Sequence, residues 1–377
     1  MKRKILIVLV RILGVLLSLL MLFILDYLVN ATQSEDPVLR KAQISIKEEY
    51  NSYGLPLDQE PSKTVFYEDE KYVFYTDRIL KKPKYSRKNI ETGKEILLSL
   101  SKMIPQDMGG YIVPIPGRMV WEDGYSEEVG NYRTFLLELQ SVIPENMQLL
   151  DVLPILKEHS EEYLFFRTDD SWTARGAYYG SKLIIESMGL SNISLEEYEE
   201  HMYHGYEGID KIDAMKDYRL GQEVIEELEG IPEDRIFYYL PSGSKNRAIR
   251  QKKWNGSIIT EKIKMVSKSR VGKAAFIGDS YMTAVAEGEG KSEEKKNKTA
   301  LLLCDSSGQI IVPFLTTYYE KVYVVNIANY EYDQNQFKSI FREYDVSDVI
   351  LVQKAENIGV LSGNKLFTKT LNLVNLE

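Results

Sequence analysis

The chain has 377 residues, 44% of them hydrophobic and 27% charged, which is enough to bury a sizeable core. Its net charge is −9 and no long basic stripe carries interleaved aromatics, which argues against nucleic acid as a partner. One cysteine, Cys304, and three histidines, His159, His201 and His204, rule out a disulfide framework and point away from a metal centre; no cofactor is expected.

Residues 1–4 carry three positive charges, and residues 5–29 are apolar apart from Arg11, Ser18 and Asp26. A helix over 12–29 would be ~27 Å long, close to the hydrocarbon thickness of a bilayer. Lys2, Arg3, Lys4 and Arg11 all precede it, so the charge rule puts the N-terminus in the cytoplasm and the remainder outside the cell. The expectation is a single-pass cell-membrane protein. A signal peptide cleaved near Val29-Asn30-Ala31, giving a secreted product, is the alternative.

Residues 1–30 are thus read as cytoplasmic tip and anchor, 31–61 as a polar stalk, and 62–377 as one extracellular α/β domain. Runs at 64–67 and 72–75 flank a charged turn and read as a hairpin. Helical spacing follows over 91–103, a buried strand over 110–116 and an amphipathic helix over 132–142. Strand 147–152, helix 153–159, strand 163–166 and helix 173–188 continue the alternation. Residues 191–251, rich in Tyr, Glu and Gly, break it and are expected to form an irregular elaboration. Strands resume at 274–277, 300–303, 322–326 and 349–353, with a helix over 334–344. This alternation predicts a doubly wound, mostly parallel sheet.

Two apolar runs end in serine turns. Ala300-Leu301-Leu302-Leu303-Cys304 leads into Asp305-Ser306-Ser307-Gly308, and Ala275-Phe276-Ile277 leads into Gly278-Asp279-Ser280. A serine at a strand-to-helix turn can expose its hydroxyl beside backbone N–H groups that would hold an oxyanion. Equally, Asp305 or Ser306 can simply cap the next helix. The 26 tyrosines offer faces for stacking on sugars, although such residues are more often half-buried packing.

A third segment reads Arg167-Thr168-Asp169-Asp170-Ser171-Trp172-Thr173, followed by Gly176-Ala177-Tyr178-Tyr179. It resembles the RTDHHWT..GAYY signature of the bacterial DHHW family, which is similar to the SGNH-hydrolase-like domains of alginate O-acetylation proteins. Segment 303–315, LCDSSGQIIVPFL, is similar to that family's IKDSYGNAFVPFL, and the blocks fall in matching order over roughly residues 60–360. The resemblance implies an SGNH-hydrolase-like fold and acyl transfer to a sugar hydroxyl. It also implies Ser306 as nucleophile, with Asp169 and Ser171 at the family's Asp and second His. The family's oxyanion segment, GGN, falls at Gly278-Asp279-Ser280, so Ser280 is either an oxyanion position or an alternative nucleophile. Asp305, Gly308, Gln309, Trp172, Arg167, Gly278 and Asp279 are carried along as binding positions.

Both histidines of the signature are gone, replaced by Asp170 and Ser171. A serine hydroxyl needs a base to take its proton, and a second serine cannot serve near neutral pH. Asp169 has no imidazole to orient. His159, on the preceding helix, would have to change both position and orientation to substitute. Ser280 and Gln309 also replace the asparagines of GGN and DSYGN. Three readings follow. The first is a catalytically impaired accessory of cell-surface polysaccharide O-acetylation, binding glycan or a membrane-bound O-acyltransferase. The second is an active serine esterase or acetyltransferase with a non-standard base such as Asp169. The third is a structural envelope protein.

Overall fold

In the computed structural model the described residues are 51–56, 59–270, 272–360 and 370. The apolar span expected over 5–29 and most of the stalk expected over 31–61 lie outside them. Among the described residues no helix is long and apolar enough to cross a membrane.

Strands β1 (Val65–Glu68), β2 (Tyr72–Tyr75) and β3 (Arg78–Lys81) form a small antiparallel sheet. The first two are the expected hairpin; the third continues the meander.

The main sheet begins with β4 (Gly109–Ile115) and β5 (Met147–Leu149). A separate antiparallel ribbon joins β6 (Tyr198–Tyr206) to β7 (Asp234–Pro241). The remaining strands are β8 (Arg247–Trp254), β9 (Ser257–Lys264), β10 (Thr283–Glu287), β11 (Thr299–Cys304), β12 (Lys321–Asn326) and β13 (Val346–Lys354). The main sheet has the order β5-β4-β13-β11-β12-β10-β8-β9. Its first five strands are parallel and its last three run antiparallel to their neighbours. This is a mixed α/β fold with a large, mostly parallel sheet. Every residue of β11 is buried, because a central parallel strand is covered on both faces.

The helices between strands follow the apolar spacing in the sequence. Helix Arg87–Ser101 starts where the Ser86 side chain accepts from the Asn89 amide. Helices Leu153–Glu158 and Ala174–Ser187 match the expected ones within one residue at each end, whereas Ser126–Gln140 begins well before the expected start at 132. Helix Gln334–Glu343 opens with a capping box between Asp333 and Gln336.

Two expected strands are absent. Residues 163–166 make only an isolated bridge, Phe165 to Trp172, because the chain reverses at once through the DDSW turn. Residues 274–277 belong instead to the 3-10 turn Gly272–Ala275 and a bridge from Phe276 to Val266. The backbone there cannot stay extended, since Ile277, Gly278 and Ser280 all have positive φ, at 59°, 108° and 52°. The expected irregular elaboration over 191–251 is regular in its parts. It holds the β6–β7 ribbon, helices Ile209–Met215 and Gln222–Gly230, and most of β8, which joins the main sheet.

The parallel register brings three strand ends to one rim. Lys354 of β13 pairs with Ile115 of β4, and Val352 with Cys304 of β11. In open α/β sheets that carboxyl rim is where ligands and chemistry gather.

Candidate active site

Past β11 the chain turns sharply. The Asp305 carboxylate accepts from the amides of Ser307 and Gly308, both at 2.9 Å, while its other oxygen accepts from the Lys354 amide at 3.1 Å. Asp305 therefore caps the turn and ties it to the end of β13. Gly308 is obligatory, since a Cβ there would stand 2.0 Å from the Val352 carbonyl oxygen. This turn leaves Ser306 exposed and without a hydrogen-bond partner among the described residues, and it turns Ser307 inward, 1% exposed.

The 167–172 loop meets this turn from below. Trp172 is fully buried and its indole N–H donates to the Ser307 carbonyl at 2.9 Å. Gly180 leaves room for the indole, where a Cβ would lie 2.6 Å from the ring. Ser171 donates to Asp169 Oδ1 at 2.7 Å and lies 2.9 Å from Ser307 Oγ. Asp169 is buried, and Tyr206 of β6 donates to its Oδ2.

The space above Ser171 is occupied by a residue the sequence reading did not single out. Lys273 Nζ lies 2.9 Å from each Asp169 oxygen and 3.0 Å from Ser171 Oγ. Gln309 holds that lysine's backbone in place by donating its side-chain amide to the Lys273 carbonyl at 2.7 Å. Burial alone would push the Asp169 carboxyl up. The Lys273 and Lys354 charges and the Tyr206 and Ser171 hydrogen bonds outweigh it and hold the group well below the usual carboxylate range.

Asp170, at the first histidine of the signature, is a structural acid. It accepts from the Arg118 amide at 2.6 Å and pairs with Lys354 Nζ at 2.9 Å. The pairing raises the Lys354 ammonium well above its ordinary value despite burial. Arg167 is also buried; its guanidinium donates to the Glu233 carbonyl, and its amide is held by Asp234 at 2.8 Å. Trp172 and Arg167 thus pack within the protein, and neither offers a surface for a ligand.

Gly278-Asp279-Ser280 is placed differently. It forms a left-handed bend that leads into the antiparallel strand β10, with Asp279 and Ser280 exposed. Arg250 of β8 approaches the Ile277 carbonyl at 3.3 Å, and a Cβ at Gly278 would meet that guanidinium at 2.1 Å. Among the described residues no hydrogen bond joins Ser280 to Asp169, Ser171 or Ser307. The three histidines lie elsewhere. His159 stacks on Tyr179 at 3.9 Å and pairs with Glu162, His201 stacks on Tyr238, and His204 is an exposed residue of β6.

The site is therefore a closed set of bonds linking Ser307, Ser171, Asp169 and Lys273, with the exposed Ser306 beside it. Ser307 stands in the same turn but is passed over because the resemblance aligns the family serine with Ser306, while Lys273 and Tyr206 are missed because no spacing marks them. Lys273 is 104 positions from its carboxylate partner, and only the fold joins them.

Residues 111–325 match the DHHW protein family. The chain belongs to the DHHW family. A DHHW family protein of Eubacterium siraeum superposes with a TM-score of 0.65 at 16% identity, covering 82% of this chain and 98% of that one. Bacillus cereus PatB1 with a sulfonyl adduct gives 0.60 at 16% identity, over 80% and 99%. The O-acetyltransferase domain of Pseudomonas putida AlgJ is a more distant likeness, 0.46 at 12% identity, over 83% and 100%. No curated protein matches. As a DHHW protein the chain keeps the signature's Asp169 and Trp172 and lacks both of its histidines.

Proposed function

We propose that this DHHW protein is a membrane-anchored, extracellular accessory of cell-surface polysaccharide O-acetylation that keeps the family's glycan-facing rim and has lost its serine chemistry. The observation that carries the second half is Lys273 on both oxygens of Asp169. An ammonium paired with a carboxylate has no lone pair to accept a serine proton, and Asp169, already accepting from Tyr206, Ser171 and Lys273, is a weak base. Glycan as partner, and acetyl transfer as the ancestral reaction, rest on family membership and on the order of the sequence blocks. Anchoring, with residues 5–29 in the membrane and the N-terminus cytoplasmic, rests on the charge-then-apolar pattern. A membrane-bound O-acyltransferase fits this reading as the donor of the acyl group.

One observation favours an active enzyme: the chain of contacts from Ser307 Oγ through Ser171 Oγ to Lys273 Nζ, at 2.9 and 3.0 Å. It would pass a proton only if Lys273 were neutral and Ser307 were uncovered.

Because PatB1 carries a sulfonyl adduct, a sulfonyl fluoride is the matched probe. The parent chain is expected to gain no sulfonyl mass. The Ser171→His/Lys273→Ala chain, given back an imidazole beside Asp169, is expected to gain one, mapped to Ser306 or Ser307. An adduct on either serine of the parent, lost in the matching alanine variant, would overturn the loss of chemistry.

A further inference from the structure

The charge of this protein is unevenly distributed. Residues 245–273 hold ten lysines and arginines against one acid, Glu261, within a chain of net charge −9. The excess of acid therefore belongs to the rest of the molecule. Most of this basic stretch is the β8–β9 hairpin, which turns tightly through Asn255 and Gly256, both at positive φ.

The register sorts the hairpin into two faces. Pairs Arg250–Glu261 and Lys252–Ile259 share one face, where Glu261 neutralises Arg250 and Lys252 at 2.9 Å each. Pairs Arg247–Lys264, Ile249–Lys262 and Lys253–Ile258 share the other, and all six of these residues are exposed. Lys253 is paired with Glu331 at 2.6 Å, whereas Arg247, Lys262 and Lys264 have no acidic partner among the described residues. Arg247 and Lys264 stand directly opposite each other, an arrangement that destabilises a sheet unless an anion lies over it. Lysines on an edge strand also discourage stray pairing, but that role does not explain Arg247, which lies on the inner strand.

Two isoleucines are interleaved with these cations, Ile249 at 41% and Ile258 at 48% exposure, and Trp254 at the tip is 60% exposed. Aliphatic side chains offer nothing to a hydroxyl-rich sugar. They do suit a planar interface where apolar groups enter the headgroup layer and cations meet anionic lipid, with tryptophan at the boundary. The acidic remainder would be repelled from such a surface, so the charge distribution also sets the orientation.

We propose that the outward face of the β8–β9 hairpin docks on an anionic lipid surface through Arg247, Lys262 and Lys264, with Ile249 and Ile258 at the headgroup boundary and Trp254, which pairs with Ser257 at the hairpin tip and turns toward the Lys252 side, at the rim of the contact. This does not depend on whether the serine turn is active.

Trp254 supplies the readout, because the other two tryptophans, Trp121 and Trp172, are 4% and 0% exposed. The full chain is reconstituted in vesicles of brominated phosphatidylcholine, with or without phosphatidylglycerol. Quenching of tryptophan emission is expected to rise with phosphatidylglycerol, to fall with added salt, and to vanish in Trp254→Phe. Arg247→Gln/Lys262→Gln/Lys264→Gln is expected to weaken the lipid-dependent step by about 100-fold. Equal quenching in both lipids, or phosphatidylglycerol-dependent quenching that survives the triple variant, would overturn the proposal. So would a Trp254 response to polygalacturonate, lost in the triple variant, with none to vesicles; that would make the face a surface for an acidic polysaccharide.

Discussion

The turn after β11 and the bend before β10 are spelled with nearly the same letters, yet they are different objects. Asp305-Ser306-Ser307-Gly308 is bonded to two neighbouring strand ends and to the DDSW loop. Gly278-Asp279-Ser280 is a left-handed bend with Asp279 and Ser280 exposed, held by backbone bonds from Ile277 to Met265 and from Gly278 to Phe276 and by Arg250 on the Ile277 carbonyl. What separates them is the strand that delivers each. A central parallel strand ends among other strand ends, and its turn inherits partners from all of them; a bend into an antiparallel strand does not. A serine motif is therefore informative only together with the kind of strand before it.

Paired substitutions sharpen the contrast. Gly308→Ala would drive a Cβ into the Val352 backbone, which cannot give way, and is expected to cost about 4 kcal/mol or to prevent folding. Gly278→Ala meets a flexible arginine and a positive φ, and about 1–2 kcal/mol is expected. Denaturant unfolding of both chains reads the difference, and equal costs would erase the distinction between the turns.

The two aspartates should separate less widely. Asp305→Ala removes the cap on two amides and the link to Lys354, at about 2 kcal/mol. Asp279→Ala, on an exposed side chain, is expected to stay within about 0.5 kcal/mol.

Acid gives a smaller difference than either pair. The folded-state pKa of Asp169 lies below its ordinary 3.8, so the stability it contributes is complete above that value and is lost as pH falls. Near pH 3 the loss should reach about 1 kcal/mol relative to neutral pH. The Asp169→Asn chain should lack that share of the slope, as measured by unfolding at both pH values.

Much of the fold was legible in the sequence, for stated reasons. The all-apolar run of β11 and the helical spacing over 132–142 and 334–344 are strong periodic signals, and the structure follows them, with the first helix beginning earlier, at Ser126. Residues 274–277 looked equally apolar, but their burial comes from packing a turn, which apolarity alone cannot distinguish from a strand. The Asn255-Gly256 turn between alternating runs is a readable hairpin signal, just past the elaboration expected over 191–251, in a stretch given no element. Its basic face was not readable, because Arg247 of one strand and Lys262 and Lys264 of the next form a patch only once the register is known. The site was half legible. Asp169, Ser171 and the Asp305 turn could be named from the signature, whereas Lys273 has no local mark and reaches Asp169 only through the fold.

The most direct test is a double-mutant cycle in the full chain, with Asp169→Asn, Lys273→Met and both together, followed by denaturant unfolding. If Lys273 has taken the imidazole's place as the buried partner of Asp169, Lys273→Met alone costs about 3 kcal/mol, and the double variant recovers much of that. Costs that simply add, or a Lys273→Met chain within about 0.5 kcal/mol of the parent, would mean that Asp169 has no such partner and that the place of the lost histidine is still open.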